Sequence, residues 1–164
     1  MSDEFDLARR APPGPWVLPQ RGFALIELVI AAAIVLTIAA IAVPDLKSTL
    51  EAAKITRAVA DIRTLESEIS AFELATGSLP RTLDELGGSY RDPWGTPYQY
   101  LNFAEEKAKG KMRKDRFLVP LNSTYDLYSM GKDRRSSPPL TAKASQDDII
   151  RANDGAYVGL AAQY

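Results

Sequence analysis

The chain has 164 residues, with 20 lysines and arginines against 21 aspartates and glutamates, and it contains neither histidine nor cysteine. This length allows one modest domain and one accessory segment. Without histidine and cysteine, the chain can form no zinc finger, haem site, disulfide, Ser-His-Asp triad or Cys-His pair. The net charge of -1 also argues against a dedicated nucleic-acid-binding protein, because such proteins carry a strongly basic surface.

Residues 1–22 form a polar, proline-rich N-terminal segment. Prolines at this density prevent a helix, so we expect an extended leader. Arg9, Arg10 and Arg21 precede the apolar sequence that follows, and the positive-inside rule places this end of the chain in the cytoplasm. The residues beyond the apolar sequence are then expected to be exported.

Residues 23–43 read FALIELVIAAAIVLTIAAIAV and carry a single charge, that of Glu27. As a helix this segment would extend roughly 30 Å, which is about the thickness of a bilayer core. A cleaved secretory signal is the alternative, but its apolar region is shorter and ends in a small-residue cleavage site. We therefore expect an anchor that is retained.

Glu27 needs an explanation, because an unpaired carboxylate inside an apolar span is costly and usually functional. Either Glu27 stays hydrated at the membrane interface, or it has a charge partner. The string RGFALIEL, at residues 21–28, resembles the class III signal of type IV pilins and of the pseudopilins of type II secretion. The resemblance implies that a prepilin peptidase cuts after Gly22 and that the new N-terminal Phe23 is methylated. It also implies that Glu27 pairs in a filament with the Phe23 amine of a neighbouring subunit, so that each charge offsets the desolvation of the other.

Beyond Pro44, apolar residues recur at helical spacing with charged residues between them. This pattern predicts that the helix continues to Thr76, where Gly77 and Pro80 end it. Pro44 matches a helix-kinking proline of the pilin-like family, and we expect it to kink or locally melt the helix near residues 41–43. The residues predicted to pack are Ile55, Val59, Ile62, Leu65, Ile69 and Phe72.

The remainder of the chain predicts a small sheet. The string TLDE at residues 82–85 has the pattern of a capping box and predicts a short helical turn. Residues 98–103, 116–120 and 124–130 are expected to form three antiparallel strands that pack on the helix. The string RDPWGTPYQY at residues 91–100 predicts a rigid turn that leads into a strand, and it resembles the DPWG-x-PY signature of major pseudopilins.

Residues 105–116 read EEKAKGKMRKDR, a run that is rich in charge. The two interpretations are a solvated hairpin loop and a local nucleic-acid patch. Base stacking would require interleaved aromatic residues, which this run lacks, so no nucleic-acid partner is expected.

The C-terminal region, from Gly131 onward, is predicted to be a long loop that carries candidate calcium ligands. The residues around Asp133 resemble the D-L-Y-S-x-G-x-D stretch where the calcium loop of major pseudopilins begins, and Asp148 resembles the residue that closes it. Oxygen ligands of this kind suit Ca²⁺. The rival interpretation is a loop held by salt bridges such as Arg134 or Arg135 with Asp147, because the loop contains positive charges that would oppose a cation. The candidate ligands are Asp133, Asp147, Asp148 and Asp154.

These resemblances imply a type IV pilin-like α+β fold, in which a long N-terminal helix packs on a three-stranded antiparallel sheet followed by a long C-terminal loop region. We expect a cleaved cytoplasmic leader at residues 1–22, a transmembrane and filament-core helix at residues 23–46, and a globular periplasmic head at residues 47–164. An enzyme is not expected, because the sequence offers no recognisable catalytic constellation.

The implied function is that of a structural subunit of a helical filament, a major pseudopilin of a type II protein secretion system. A type IV pilus pilin for adhesion, motility or DNA uptake is the alternative. The implied partners are further copies of the chain, the prepilin peptidase, minor pseudopilins and an inner-membrane assembly platform. The expected location is the bacterial inner membrane, with a single span and a periplasmic head, and then a periplasmic or extracellular filament.

Overall fold

The computed structural model describes residues 24–105, 108, 110–116 and 120–164. The chain divides into two compact units, Met1–Ala42 and Val43–Tyr164. The predicted leader and both residues of the predicted cleavage site, Gly22 and Phe23, lie outside the described residues. The predicted domain boundaries therefore stay predictions.

The described part of the chain contains one α-helix, α1, which spans Leu25–Thr76. It is uninterrupted at Pro44, so of the two alternatives predicted near residues 41–43 local melting is wrong, and a kink stays a prediction. Proline removes one backbone hydrogen bond, and a helix of this length retains its other bonds on both sides of that position. The end of the helix is as predicted, because Gly77 adopts a left-handed φ of 78° and donates its N–H to the Glu73 carbonyl at 2.8 Å.

The C-terminal half of α1 carries the core of the second unit. Ala58, Ile62, Leu65 and Ile69 are fully buried, and Ile55 and Val59 are partly buried beside them. The predicted packing face is thus confirmed, with Ala58 added and Phe72 half-buried at its end. This face packs against apolar side chains of the sheet and of the turn before it, which are Leu83, Trp94, Tyr98, Tyr125, Leu127 and Ile149.

Among the residues that the structure describes, four antiparallel strands form one sheet, and their spatial order is their chain order. Leu101 of the first strand lies opposite Asp126, Ser129 lies opposite Ile149, and Ile150 lies opposite Gly159. The strands are β1, Gln99–Asn102; β2, Tyr125–Ser129; β3, Ile149–Ala152; and β4, Tyr157–Leu160.

The predicted count of three strands is wrong, although two of the predicted strands are present as β1 and β2. Within the predicted strand at residues 116–120, Arg116 lies in a turn with a φ of 41° and Pro120 in a bend, while residues 117–119 lie outside the described part. The third and fourth strands come from the C-terminal region that we expected to be a loop. The hairpin between them turns at Asn153–Gly155, where all three residues have positive φ.

Both faces of the sheet are covered. Residues alternate between the two faces of a strand, so Tyr125 and Leu127 of β2 face α1 while Tyr128 points to the opposite side. A second apolar cluster lies on that opposite side and buries Leu121, Leu140, Ile150, Ala152 and Ala161. The C-terminal region therefore forms a second layer rather than a peripheral loop.

A short 3-10 turn, Leu83–Leu86, lies between α1 and β1, as predicted. The capping box is absent, because the Thr82 side chain makes no capping hydrogen bond. Instead the Glu85 carboxylate accepts the backbone N–H of Arg81 at 3.0 Å.

Candidate assembly segment and C-terminal loop

The N-terminal part of α1, residues 25–42, forms the candidate assembly segment. Ten large apolar side chains between residues 25 and 41 are each at least 53% exposed, and Leu25 reaches 81%. Among the described residues, α1 is the one helix that is long and apolar enough to cross a membrane. Such a surface is stable only when lipid or other protein covers it.

Glu27 folds back onto the start of the helix. Its Oε2 accepts the backbone N–H of Ala24 at 3.1 Å, which is the reach-back half of a capping box. Among the residues described, the carboxylate therefore has one local partner. Its predicted pairing with Phe23 of a neighbour concerns a residue outside the described part, so that pairing stays a prediction.

Asp92 organises the DPWG turn. It is only 4% exposed, and its Oδ1 accepts the N–H groups of Trp94 and Thr96 at 3.1 and 2.8 Å. Its Oδ2 accepts the hydroxyl of Ser129, the last residue of β2, at 2.6 Å. Gly95 adopts a φ of 87°, which only glycine reaches without strain. The signature string is therefore a structural turn docked against the end of β2.

Aromatic residues in and next to this turn bind acidic residues of α1. Each ring donates its one polar hydrogen to a carboxylate on the helix, so that the turn is fixed along the helix axis. The pairs are Trp94 with Glu51, Tyr98 with Asp61 and Tyr90 with Glu68, at 2.9, 3.0 and 2.6 Å. The hydrogen bond to Glu68 raises the pKa of Tyr90 to about 12. Burial, helped by the charge of Asp61, raises the pKa of Tyr98 well above its ordinary range.

Arg151 of β3 ties the sheet to α1. It is 7% exposed, its Nε donates to Glu66 Oε1 at 2.8 Å, and its Nη1 donates to the carbonyl of Tyr125 at 3.2 Å. The guanidinium also stacks on the Tyr125 ring, 4.1 Å from its centroid. Sequence reasoning missed this residue, because a charged side chain in a short apolar run argues against a buried strand.

The four candidate calcium ligands do not form one cluster in the described part of the chain. Asp133 and Asp147 are neighbours, since the N–H of Asp133 donates to Asp147 Oδ2 at 2.9 Å. Asp154 lies at the β3–β4 turn, where its Oδ1 accepts the N–H of Ser123 at 2.8 Å, and this bond lowers the pKa of Asp154. Asp148 is fully buried. The described residues contain no group of three or more acidic side chains that could hold a metal ion.

Asp148 is bonded to a cationic side chain. Its Oδ2 accepts Arg113 Nη2 and the Ser136 hydroxyl, both at 2.6 Å, and Arg113 is itself only 3% exposed. Burial raises the pKa of Asp148 to about 6 against the opposing effect of the Arg113 charge. A calcium site requires six to eight oxygen ligands. Here the Arg113 guanidinium already binds Asp148, and the other candidate acids do not gather around that carboxylate, so the arrangement does not fit such a site. Calcium binding thus stays a prediction that this geometry does not favour.

The rival prediction of a loop held by salt bridges named the wrong residues. In the described part of the chain, neither Arg134 nor Arg135 forms an ion pair with Asp147, and Arg134 donates instead to the Trp94 carbonyl at 2.8 Å. Arg113 belongs to the charged run at residues 105–116, whose interpretation as a solvated loop is wrong at this position. No local signal distinguishes Arg113 from the lysines and arginine around it.

Comparison with known proteins decides the family. The prokaryotic N-terminal methylation motif matches residues 18–43. The chain is 31% identical over 140 residues to the type II secretion system core protein G of Dickeya chrysanthemi, and this match covers 83% of the chain and 88% of that relative. The chain belongs to the type II secretion system core protein G family.

Other relatives of the same name agree. The core protein G of Pseudomonas aeruginosa is 31% identical over 121 residues, and that of Aeromonas hydrophila is 33% identical over 136 residues; each match covers 70% of this chain and 84% of the relative. No solved structure matches the chain. Membership of the core protein G family confirms the role of major pseudopilin, and a type IV pilus pilin is not favoured.

Proposed function

We propose that the chain is made as a single-pass inner-membrane precursor, is cut after Gly22, is methylated on Phe23, and then polymerises as the structural subunit of the secretion filament. The observation that carries this proposal is the exposed apolar surface of residues 25–42 of α1, in which Glu27 is the single charge. A helix of this kind suits two environments in succession, the bilayer and the apolar centre of a fibre.

Burial of this apolar surface supplies the driving force for membrane insertion and for filament assembly. Burying one leucine, isoleucine or valine side chain contributes about 1.5 to 3 kcal/mol. The ten exposed side chains between residues 25 and 41 therefore represent on the order of 15 kcal/mol or more when they are covered. A chain in lipid already has this contribution, so extraction into a filament requires helices of neighbouring subunits to cover the same side chains.

Glu27 selects the register of that packing. In the described part of the chain its carboxylate has one N–H partner, at Ala24, and this bond alone does not compensate a buried negative charge. Cleavage after Gly22 would create an amine at Phe23, one residue before the N–H that Glu27 binds. A neighbour's amine placed against Glu27 would neutralise both charges, and an axially shifted helix would leave both unpaired.

The remaining parts of the proposal concern location and partners. The arginines of residues 1–22 favour a cytoplasmic leader, which places the sheet-bearing unit in the periplasm. The prepilin peptidase, minor pseudopilins and an inner-membrane assembly platform are the proposed partners. The chain acts by assembly and not by catalysis, since its relatives carry the name of a secretion-system component and its buried acids engage in structural hydrogen bonds.

Processing is tested first by intact mass and N-terminal sequencing of the protein from its native host. We expect a chain that begins with N-methyl-Phe23. A chain that keeps residues 1–22, or one cut beyond the apolar segment, would contradict the proposal.

Assembly is tested with two variants of one residue. Glu27→Gln keeps an acceptor for the Ala24 N–H and removes the charge, whereas Glu27→Ala removes both. We expect both variants to be cleaved normally and both to lose filaments, because the charge is what the neighbour binds. Thr37→Val is the matched control, since the Thr37 hydroxyl donates only to the Ala33 carbonyl of its own helix, at 2.8 Å. Normal filaments from Glu27→Gln would refute the pairing.

A further inference from the structure

The segment that connects β2 to β3, residues 130–148, is here called the β2–β3 loop. Its two ends meet closely, because a Cβ atom on Gly131 would collide with the Asp147 carbonyl, and Gly131 has a φ of 62°. The N–H of Gly131 donates to the Ser129 hydroxyl oxygen at 3.0 Å, so the start of the loop is fixed to β2. What needs explanation is the group that holds the middle of the loop against the sheet.

Arg113 is that group. It comes from the segment before β2 and lies behind the sheet, with its guanidinium 4.2 Å from the centroid of the Tyr128 ring. Its Nη1 donates to the Ser136 hydroxyl oxygen, its Nη2 donates to Asp148 Oδ2, and the Ser136 hydroxyl donates to the same oxygen. One buried cation therefore joins the middle of the β2–β3 loop to its end.

The backbone around Arg113 extends the same connection. The N–H of Lys114 donates to the Pro138 carbonyl at 3.0 Å, and the N–H of Leu140 donates to the Lys114 carbonyl at 2.9 Å. Within the loop, Ser145 closes a further ring, since its hydroxyl donates to the Ser137 carbonyl at 2.7 Å and accepts the Ser137 N–H at 2.9 Å. The loop is thus fixed by protein groups along most of its length.

We propose that Arg113 closes the β2–β3 loop in place of a metal ion, so that the head folds and keeps this loop without calcium. The guanidinium supplies positive charge and directed N–H donors to Asp148, and it therefore compensates the charge of that carboxylate, which a metal ion would do by coordination. Arg134, Arg135 and Lys143 add positive charge to the same loop and disfavour a divalent ion. One oxygen of the pair, Asp148 Oδ1, has no hydrogen-bond partner among the described residues, and the first experiment therefore compares stability with and without divalent cations.

The first experiment uses the unmodified full chain in detergent. Its thermal unfolding is followed by near-ultraviolet circular dichroism in excess EGTA, in calcium chloride, and in magnesium chloride at the same ionic strength. We expect one and the same Tm in all three. A lower Tm in EGTA, restored by calcium and not by magnesium, would overturn the proposal.

The second experiment tests Arg113 itself by hydrogen exchange of the β2–β3 loop, read by mass spectrometry. Arg113→Met keeps an unbranched apolar stem and removes the guanidinium with its charge and donors, and Lys114→Met is the matched control, because Lys114 is exposed. We expect exchange in the loop to accelerate by about tenfold or more in Arg113→Met, and to be unchanged in Lys114→Met. Unchanged exchange in Arg113→Met would overturn the proposal. If Arg113→Met does not fold, Arg113→Lys is used instead, because lysine retains the positive charge but lacks the paired N–H donors of the guanidinium. Exchange in Arg113→Lys as slow as in the unmodified chain would likewise exclude a specific role of the guanidinium.

Discussion

Replacement of Asp92 by alanine should destabilise the head severely, although Asp92 is far from the apolar assembly segment in sequence. The carboxylate is buried and accepts three hydrogen bonds, from the N–H groups of Trp94 and Thr96 and from the Ser129 hydroxyl. A hydrogen bond to a charged group contributes about 1.5 to 3 kcal/mol, and water entering the truncated site recovers a part of this. We therefore expect Asp92→Ala to lower the free energy of unfolding by about 3 to 5 kcal/mol, a large share of the stability of a small domain.

Two further variants separate the charge from the geometry. Asp92→Asn keeps an acceptor for both N–H groups, and its amide can donate to the Ser129 oxygen, so we expect a loss of about 1 to 2 kcal/mol. Asp84→Ala is the control, because Asp84 is exposed on the short 3-10 turn, and it should stay within about 0.5 kcal/mol of the unmodified chain.

The assay is urea unfolding of the detergent-solubilised full chain, followed by near-ultraviolet circular dichroism, which reports the packing of aromatic rings such as Trp94. The free energies are compared at a common m-value. The reasoning is refuted if Asp92→Ala is no less stable than Asp92→Asn, since the turn would then not depend on the carboxylate.

Three other expectations follow from contacts described above. Both Gly77 and Gly131 have positive φ, and we expect Gly77→Ala to lose about 1 to 2 kcal/mol of unfolding free energy for that reason. Gly131→Ala should lose clearly more, because only at Gly131 would the new methyl group collide with a backbone carbonyl. Equal urea midpoints for the two variants would contradict this. A double-mutant cycle with Arg151→Met and Glu66→Gln should give a coupling energy of about 1 to 3 kcal/mol, and additive effects would show that the ion pair contributes nothing. The folded-state pKa of Tyr90, about 12, lies above its ordinary 10.0, so folding favours the protonated phenol and the stability should fall as the pH rises from 10 to 12. Tyr90→Phe should reduce that fall, measured as Tm against pH in this range. An identical pH profile in the variant and the unmodified chain would contradict the prediction.

The sequence predicts α1 well because a long periodic pattern repeats the same information at many positions. The packing face at Ile62, Leu65 and Ile69 and the stop at Gly77 each rest on several residues that agree. The turn around Asp92 was also predicted, since Pro and Gly restrict the backbone locally.

Sequence reasoning failed on β3 and on the closure of the loop, because both depend on partners distant in the chain. The pattern of β3 is broken by Arg151, whose burial is explained by Glu66 on α1 and by Tyr125 on β2, both distant in the chain. The burial of Arg113 depends on its ion pair with Asp148, which lies 35 residues further along the chain. One signal was available: the turn at Asn153–Gly155 separates two short apolar runs, which is typical of a β-hairpin.

The order of the strands has a consequence for folding kinetics. β3 and β4 are joined by a tight turn and can pair locally, whereas β2 and β3 pair only after the whole β2–β3 loop has closed. Closing a long loop costs chain entropy before any contact compensates for it. We therefore expect the β3–β4 hairpin to form early and its docking onto β2 to limit the rate. On this pathway the contacts of Arg113 form late, so weakening them should mainly accelerate unfolding and leave the folding rate nearly unchanged.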